Sequence, residues 1–138
     1  MRLVSTALTR RVLLVDDSQP EARELSGIIG RLQCHEVVAR AENGAEGLKL
    51  FHKLAPDIVC MDIVMPVMDG LQAGRAILRA APETRLYMIS SVGDAPSRLA
   101  EAIEMGARNV LAKPFRPEDV FAMLLVDEPD PAPYAPLA

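Results

Sequence analysis

Five short apolar runs, VLLV at 12–15, VVA at 37–39, IVCM at 58–61, LYMI at 86–89 and VLA at 110–112, alternate with five stretches of helical character. That alternation limits the fold more than any other feature. Most of the runs are continuous rather than polar at every second place, which is the mark of strands covered on both faces of a parallel sheet. VVA differs: His35, Glu36 and Arg40 flank it, and it reads as an edge strand. The first helical stretch carries Ala22, Leu25, Ile28 and Leu32 at spacings of three and four, behind a capping box of Ser18 and Glu21. Asn43 with Glu46 and Asp69 with Gln72 are weaker start signals of the same kind. A fourth helix is predicted over 95–105, stopped by Gly106. A fifth starts at Pro117 and turns Val120, Phe121 and Leu124 inward. Short connections between alternating strands and helices predict a doubly wound α/β fold with right-handed crossovers around a five-stranded parallel sheet.

The chain has 138 residues, room for one domain of ordinary size. Half of its residues are hydrophobic but only 4% are aromatic, and Trp is absent, so aliphatic side chains must fill the core. We expect an N-terminal arm over 1–10, a folded domain over 11–126, and a solvated, flexible tail over 127–138, where DEPDPAPYAPLA places prolines at 129, 131, 133 and 136. The net charge is −4 and no basic run occurs, which argues against direct nucleic-acid binding. The longest apolar runs fall far short of the ~20 residues of a membrane span. Cys34 and Cys60 have neither metal-site nor disulfide-framework spacing and read as reduced core residues. A cytoplasmic protein is expected, with no membrane contact.

In an open α/β sheet, ligands bind beyond the carboxyl ends of the strands. The polar residues that end the apolar runs are Asp16 and Asp17, Asp62, Ser90 with Ser91, and Lys113. Singly, each has an ordinary explanation as a helix cap, a turn residue or a solvated charge. Together they place three carboxylates, a hydroxyl and an ammonium on one edge. Three crowded carboxylates need a cation or a retained proton, and a hard, oxygen-seeking ion such as Mg2+ meets that need. Such a site would stabilise a phosphoryl group carried by a central carboxylate, for which Asp62 is the candidate.

VLLVDDS, PDIVCMDIVMPVMDG, Ser90 and LAKPF together resemble the receiver domain of two-component response regulators, over about residues 11–126. The resemblance implies a flavodoxin-like (βα)5 fold with strand order 2-1-3-4-5. It implies that Asp62 is the phosphoacceptor, that Asp17, Asp62 and the backbone carbonyl of Val64 bind Mg2+ directly, and that Asp16 acts through a metal-bound water. Lys113 would pair with the phosphoryl oxygens, through a cis Lys113–Pro114 turn, and Ser90 would reorient on activation. The donor would be a histidine kinase or a histidine phosphotransfer protein. Output would come from docking a downstream protein on the face of the fourth helix, fifth strand and fifth helix, as in chemotaxis-type regulators without an output domain. The chain would then catalyse only its own phosphorylation and dephosphorylation. A receiver cut from a longer regulator is the alternative.

Three positions depart from the family pattern. Val110 stands where an aromatic is usual, and Val64 and Val92 stand where side chains help to place the hydrolytic water. A Mg2+-dependent phosphohydrolase using an aspartyl phosphate would resemble this chain but wants an Asp at the place of Val64. A flavodoxin-type phosphate binder wants a Ser/Thr/Gly-rich first loop, where DDSQP stands. His35 and His52 lack ligand spacing and are expected at surface or edge positions. Met65 and Met68 follow Asp62 closely and could shape access to it. Arg98, Arg108 and Arg116 are read as a solvated face.

Overall fold

The computed structural model describes residues 9–126. The expected tail lies outside them, as does most of the expected arm. The strands are β1 (Arg10–Val15), β2 (His35–Ala41), β3 (Ile58–Asp62), β4 (Arg85–Ser90) and β5 (Asn109–Ala112). The helices are α1 (Gln19–Ile29), α2 (Gly44–Leu54), α3 (Gly70–Ala80), α4 (Pro96–Glu104) and α5 (Pro117–Val126). All strand pairs are parallel and their order is β2-β1-β3-β4-β5, the doubly wound α/β architecture expected. The VVA run is an edge, with β5 on the other side.

The continuous apolar runs follow from burial on both faces. Alternate residues of a strand point to opposite sides. Val12, Leu14, Cys60, Tyr87 and Ile89 meet Leu25, Ile28 and Ile29 of α1 and Val120 and Leu124 of α5. Leu13, Val15, Val59, Met61 and Met88 meet Phe51 of α2, Leu71 and Ile77 of α3 and Ala102 of α4. Cys34 and Cys60 are buried and neither is in a disulfide among the described residues, as expected.

Five details qualify the sequence reading. β1 begins at Arg10, inside the segment assigned to the arm. α1 ends at Ile29, so Leu32 is not helical; its N–H bonds Ile29 O at 3.0 Å and the turn returns its side chain to the core. In α5, Phe121 is only partly buried, with the Arg31 guanidinium 5.2 Å from its ring centre, and Met123 takes an inward place instead. His35 does start an edge strand but is buried, while His52 is exposed. α4 is one residue shorter at each end than expected, with Ala95 and Met105 as its caps and Gly106 at φ 117°. Among the described residues no helix is long and apolar enough to cross a membrane.

Candidate functional site

Asp16, Asp17, Asp62, Ser90 and Lys113 all lie at the carboxyl edge of the sheet, because each ends a strand or follows one within two residues. Asp16 is held from several sides. Its N–H donates to Ala41 O at 3.0 Å, its Oδ1 accepts the Ser18 N–H at 2.8 Å, and its carbonyl oxygen accepts Arg40 Nε at 3.2 Å and Nη2 at 2.9 Å. Asp62 ends the central strand and is 4% exposed. Oxygens of Asp16, Asp17 and Asp62 all lie within 4.8 Å of one another, with Asp16 and Asp62 buried and Asp17 exposed. The Lys113 N–H donates to Ser90 O at 2.8 Å, which ties the ends of β4 and β5, and the Lys113–Pro114 peptide is cis, as expected. Lys113 Nζ reaches Asp62 Oδ2 at 3.1 Å and Asp16 Oδ2 at 3.4 Å. Ser90 is buried one register step beyond Asp62 and makes no hydrogen bond to the three aspartates among the described residues.

One member of the cluster escaped the sequence reading. Glu21, in the first turn of α1, turns its carboxylate onto the Lys113 ammonium. Its backbone N–H meets Ser18 Oγ at 3.4 Å, so the capping signal located the residue but not where its side chain goes. Arg98 and Arg116 also differ from a purely solvated face: Arg98 pairs with Asp69 at 3.0 Å and Arg116 with Asp119 at 3.0 Å.

The electrostatics reflect the crowding. Burial, and then the charge of Asp16, push the Asp62 carboxyl up from 3.8 to about 7, against the opposing pull of Lys113. Burial works against the Lys113 ammonium, yet its hydrogen bonds to Glu21 and Asp62 and the charges of Asp62 and Asp16 hold its pKa above the usual lysine value. A buried carboxyl retaining its proton near neutrality marks a site short of positive charge. Three convergent carboxylates are a donor set for a hard cation, so the cluster could bind a metal ion.

The loop after Asp62 is tied down. Gly70 N–H donates to Ile63 O at 2.7 Å and Gly44 N–H to Met68 O at 3.1 Å. Within it Met65 is buried and Met68 half-buried, while Val64 and Val67 are exposed. Val67 has φ 72°, unusual for a β-branched residue. Val92, after Ser90, is 89% exposed, and Val110 is half-buried on β5.

Comparison with known proteins matches the response regulator receiver domain over residues 12–125. The chemotaxis protein CheY of Thermotoga maritima is 37% identical over 115 residues, covering 83% of this chain and 94% of that protein. A protein-glutamate methylesterase/protein-glutamine glutaminase of Photobacterium profundum is 40% identical over 113 residues, which cover 82% of this chain but 28% of that relative. A CheX-CheY-BeF3-Mg+2 complex from Borrelia burgdorferi contains a chain that superposes with TM-score 0.81 at 26% identity, covering 89% of this chain and 92% of that one. With its parallel 2-1-3-4-5 sheet and acidic pocket, the chain belongs to the response regulator receiver domain family of two-component signalling.

Proposed function

We propose that this receiver domain, spanning 11–126, is switched by a phosphoryl group placed on Asp62 by a histidine kinase or histidine phosphotransfer protein, and signals by docking a downstream protein. The observation that carries this is the setting of Asp62: a buried carboxylate between a second buried carboxylate and an ammonium 3.1 Å away. In that setting Lys113 would hold the incoming phosphoryl oxygens. Asp17, Asp62 and the Val64 carbonyl would bind Mg2+ directly, with Asp16 acting through water; the ion would supply positive charge at the phosphoryl oxygens. Ser90 would turn towards the phosphoryl group. With Val110 unable to swing as an aromatic does, the loop from Ser90 to the start of α4 would carry the change outward. The docking face would be α4, β5 and α5, and the site of action the cytoplasm.

We further infer that the chain acts on no external substrate. A phosphohydrolase would need an acid/base at position 64, where the side chain is an exposed valine. The methylesterase relative carries its activity in a protein of which this chain spans 28%. Whether this chain works alone or within a longer regulator, the chemistry at Asp62 is the same.

Incubation with acetyl phosphate and Mg2+ should add one phosphoryl mass to the wild type, and chelation of the metal should prevent it. Asp62→Asn should remain unlabelled in intact-mass spectra; equal labelling would move the acceptor elsewhere. Mg2+ titration should show a larger loss of affinity for Asp17→Asn than for Asp16→Asn. A direct anionic ligand contributes more than a group acting through water, though losses for the latter still reach about 10-fold. The reverse order would exchange the two roles.

A further inference from the structure

Glu21 has no role in the reading above, yet its carboxylate sits on the same ammonium as Asp62. We propose that Glu21 is a specificity-determining residue of the acceptor site, which selects against small phosphoryl donors that arrive as dianions and favours nitrogen-linked donors that carry less negative charge. This rests on Asp62 being the acceptor.

The cluster holds four carboxylates, from Asp16, Asp17, Glu21 and Asp62, around the one ammonium of Lys113. The Arg40 guanidinium nearby is engaged on the Asp16 carbonyl oxygen. With a divalent cation, Lys113 and Arg40 the summed charge comes near zero, so the field that an approaching donor meets is set by which charges face the solvent. Asp16 and Asp62 are buried beneath the ammonium, whereas the Glu21 side chain is 43% exposed. Glu21 is therefore a carboxylate that an incoming donor meets from the solvent side. It also draws on the Lys113 ammonium, which the phosphoryl oxygens need.

Transfer itself is balanced for both donor classes. An Asp62 oxygen forms the new bond to phosphorus. With acetyl phosphate the P–O bond to the acyl oxygen breaks, and acetate leaves with the electron pair. With phosphoramidate, whose nitrogen is already protonated in neutral solution, the P–N bond breaks and ammonia leaves with the pair. Acetyl phosphate is a dianion at neutral pH and phosphoramidate a monoanion, so a fixed negative charge at the entrance opposes the first more strongly.

The test is the rate of mass gain on Asp62 with each donor, at saturating Mg2+ and low ionic strength. Glu21→Gln should speed labelling by acetyl phosphate roughly three- to tenfold and labelling by phosphoramidate about half as much on a logarithmic scale. Both gains should shrink in 0.5 M salt. Glu36→Gln removes the same charge at the opposite end of the sheet, from an exposed position on β2, and should leave the ratio of the two rates unchanged. Equal gains with both donors, insensitive to salt, would overturn the proposal and make the Glu21–Lys113 pair structural only. A slower Glu21→Gln would overturn it too, by showing that Glu21 holds Lys113 productively. Failure of the wild type to be labelled by either donor would instead remove the acceptor assignment, and this proposal with it.

Discussion

Gly70→Ala should destabilise the domain by about 3 kcal/mol or more, enough to lower the melting temperature by roughly 10 °C. A Cβ on Gly70 would lie 2.0 Å from the Asp62 carbonyl oxygen, 2.9 Å from the carbonyl carbon and 3.0 Å from the Ile63 Cα. These are backbone atoms and cannot rotate away. The glycine is also fixed from its own side, since its N–H donates to Ile63 O at 2.7 Å and Asp69 caps α3 just before it. Relief would require either parting α3 from the end of β3 or moving the Asp62 peptide. The second route disturbs the carboxylate cluster directly, so the folded fraction of the variant should also bind Mg2+ more weakly. Gly27→Ala is the matched control: it lies in α1 with nothing within 4 Å of its built Cβ, and should gain about 0.5–1 kcal/mol from helix propensity. Urea unfolding of the three proteins decides the matter. Wild-type stability for Gly70→Ala would mean that β3 and α3 are not in the contact described.

This contact also shows what the sequence could and could not disclose. The strands were legible because burial on both faces leaves an unbroken aliphatic run, and the cluster was legible because Asp16, Asp17, Asp62 and Lys113 each stand within two residues of the end of such a run. Knowledge of strand ends is then enough to gather them. Glu21 was half legible. Its place in the first turn of α1 followed from the Ser18 signal, but whether its carboxylate returns to the cap or reaches Lys113, ninety-two residues away, depends on how α1 lies over the sheet. His35 stands on an edge strand, one of the two positions expected for it, but its burial there was not legible for a related reason. A histidine beside an edge strand looks exposed in one dimension, and only the packing around the start of β2 buries it. The need for Gly at position 70 arises from a close approach between two backbones, which no local pattern encodes. The end of α1 was overrun because Leu32 continues the helical spacing while serving the core from a turn.

Without a divalent cation, the domain should lose stability as the pH rises from about 4 to 7, by an amount traceable to Asp62. Its carboxyl is held at about 7 in the folded protein against 3.8 ordinarily, by burial first and by Asp16 second, with Lys113 opposing. Within that window the unfolded chain releases the proton and the folded chain keeps it. The unfolded state therefore binds fewer protons, and the free energy of unfolding falls with rising pH. Each unit of difference corresponds to about 1.4 kcal/mol, which sets a ceiling near 4 kcal/mol; relaxation of the site around the charged carboxylate brings the expected loss to about 2–4 kcal/mol. Asp62→Asn keeps the shape and removes the charge. At pH 8 it should exceed the metal-free wild type by about that amount, and near pH 4 the two should be nearly equal. Other carboxylates titrate in both proteins, so the difference between their urea midpoints isolates Asp62. Mg2+ should then stabilise the wild type at pH 8 more than the variant, because an ion bound only by the folded state restores the charged carboxyl's place in the site. A wild-type-to-variant difference that stays flat from pH 4 to 8 would show that Asp62 is ionised throughout. The cluster would then hold enough positive charge without a metal.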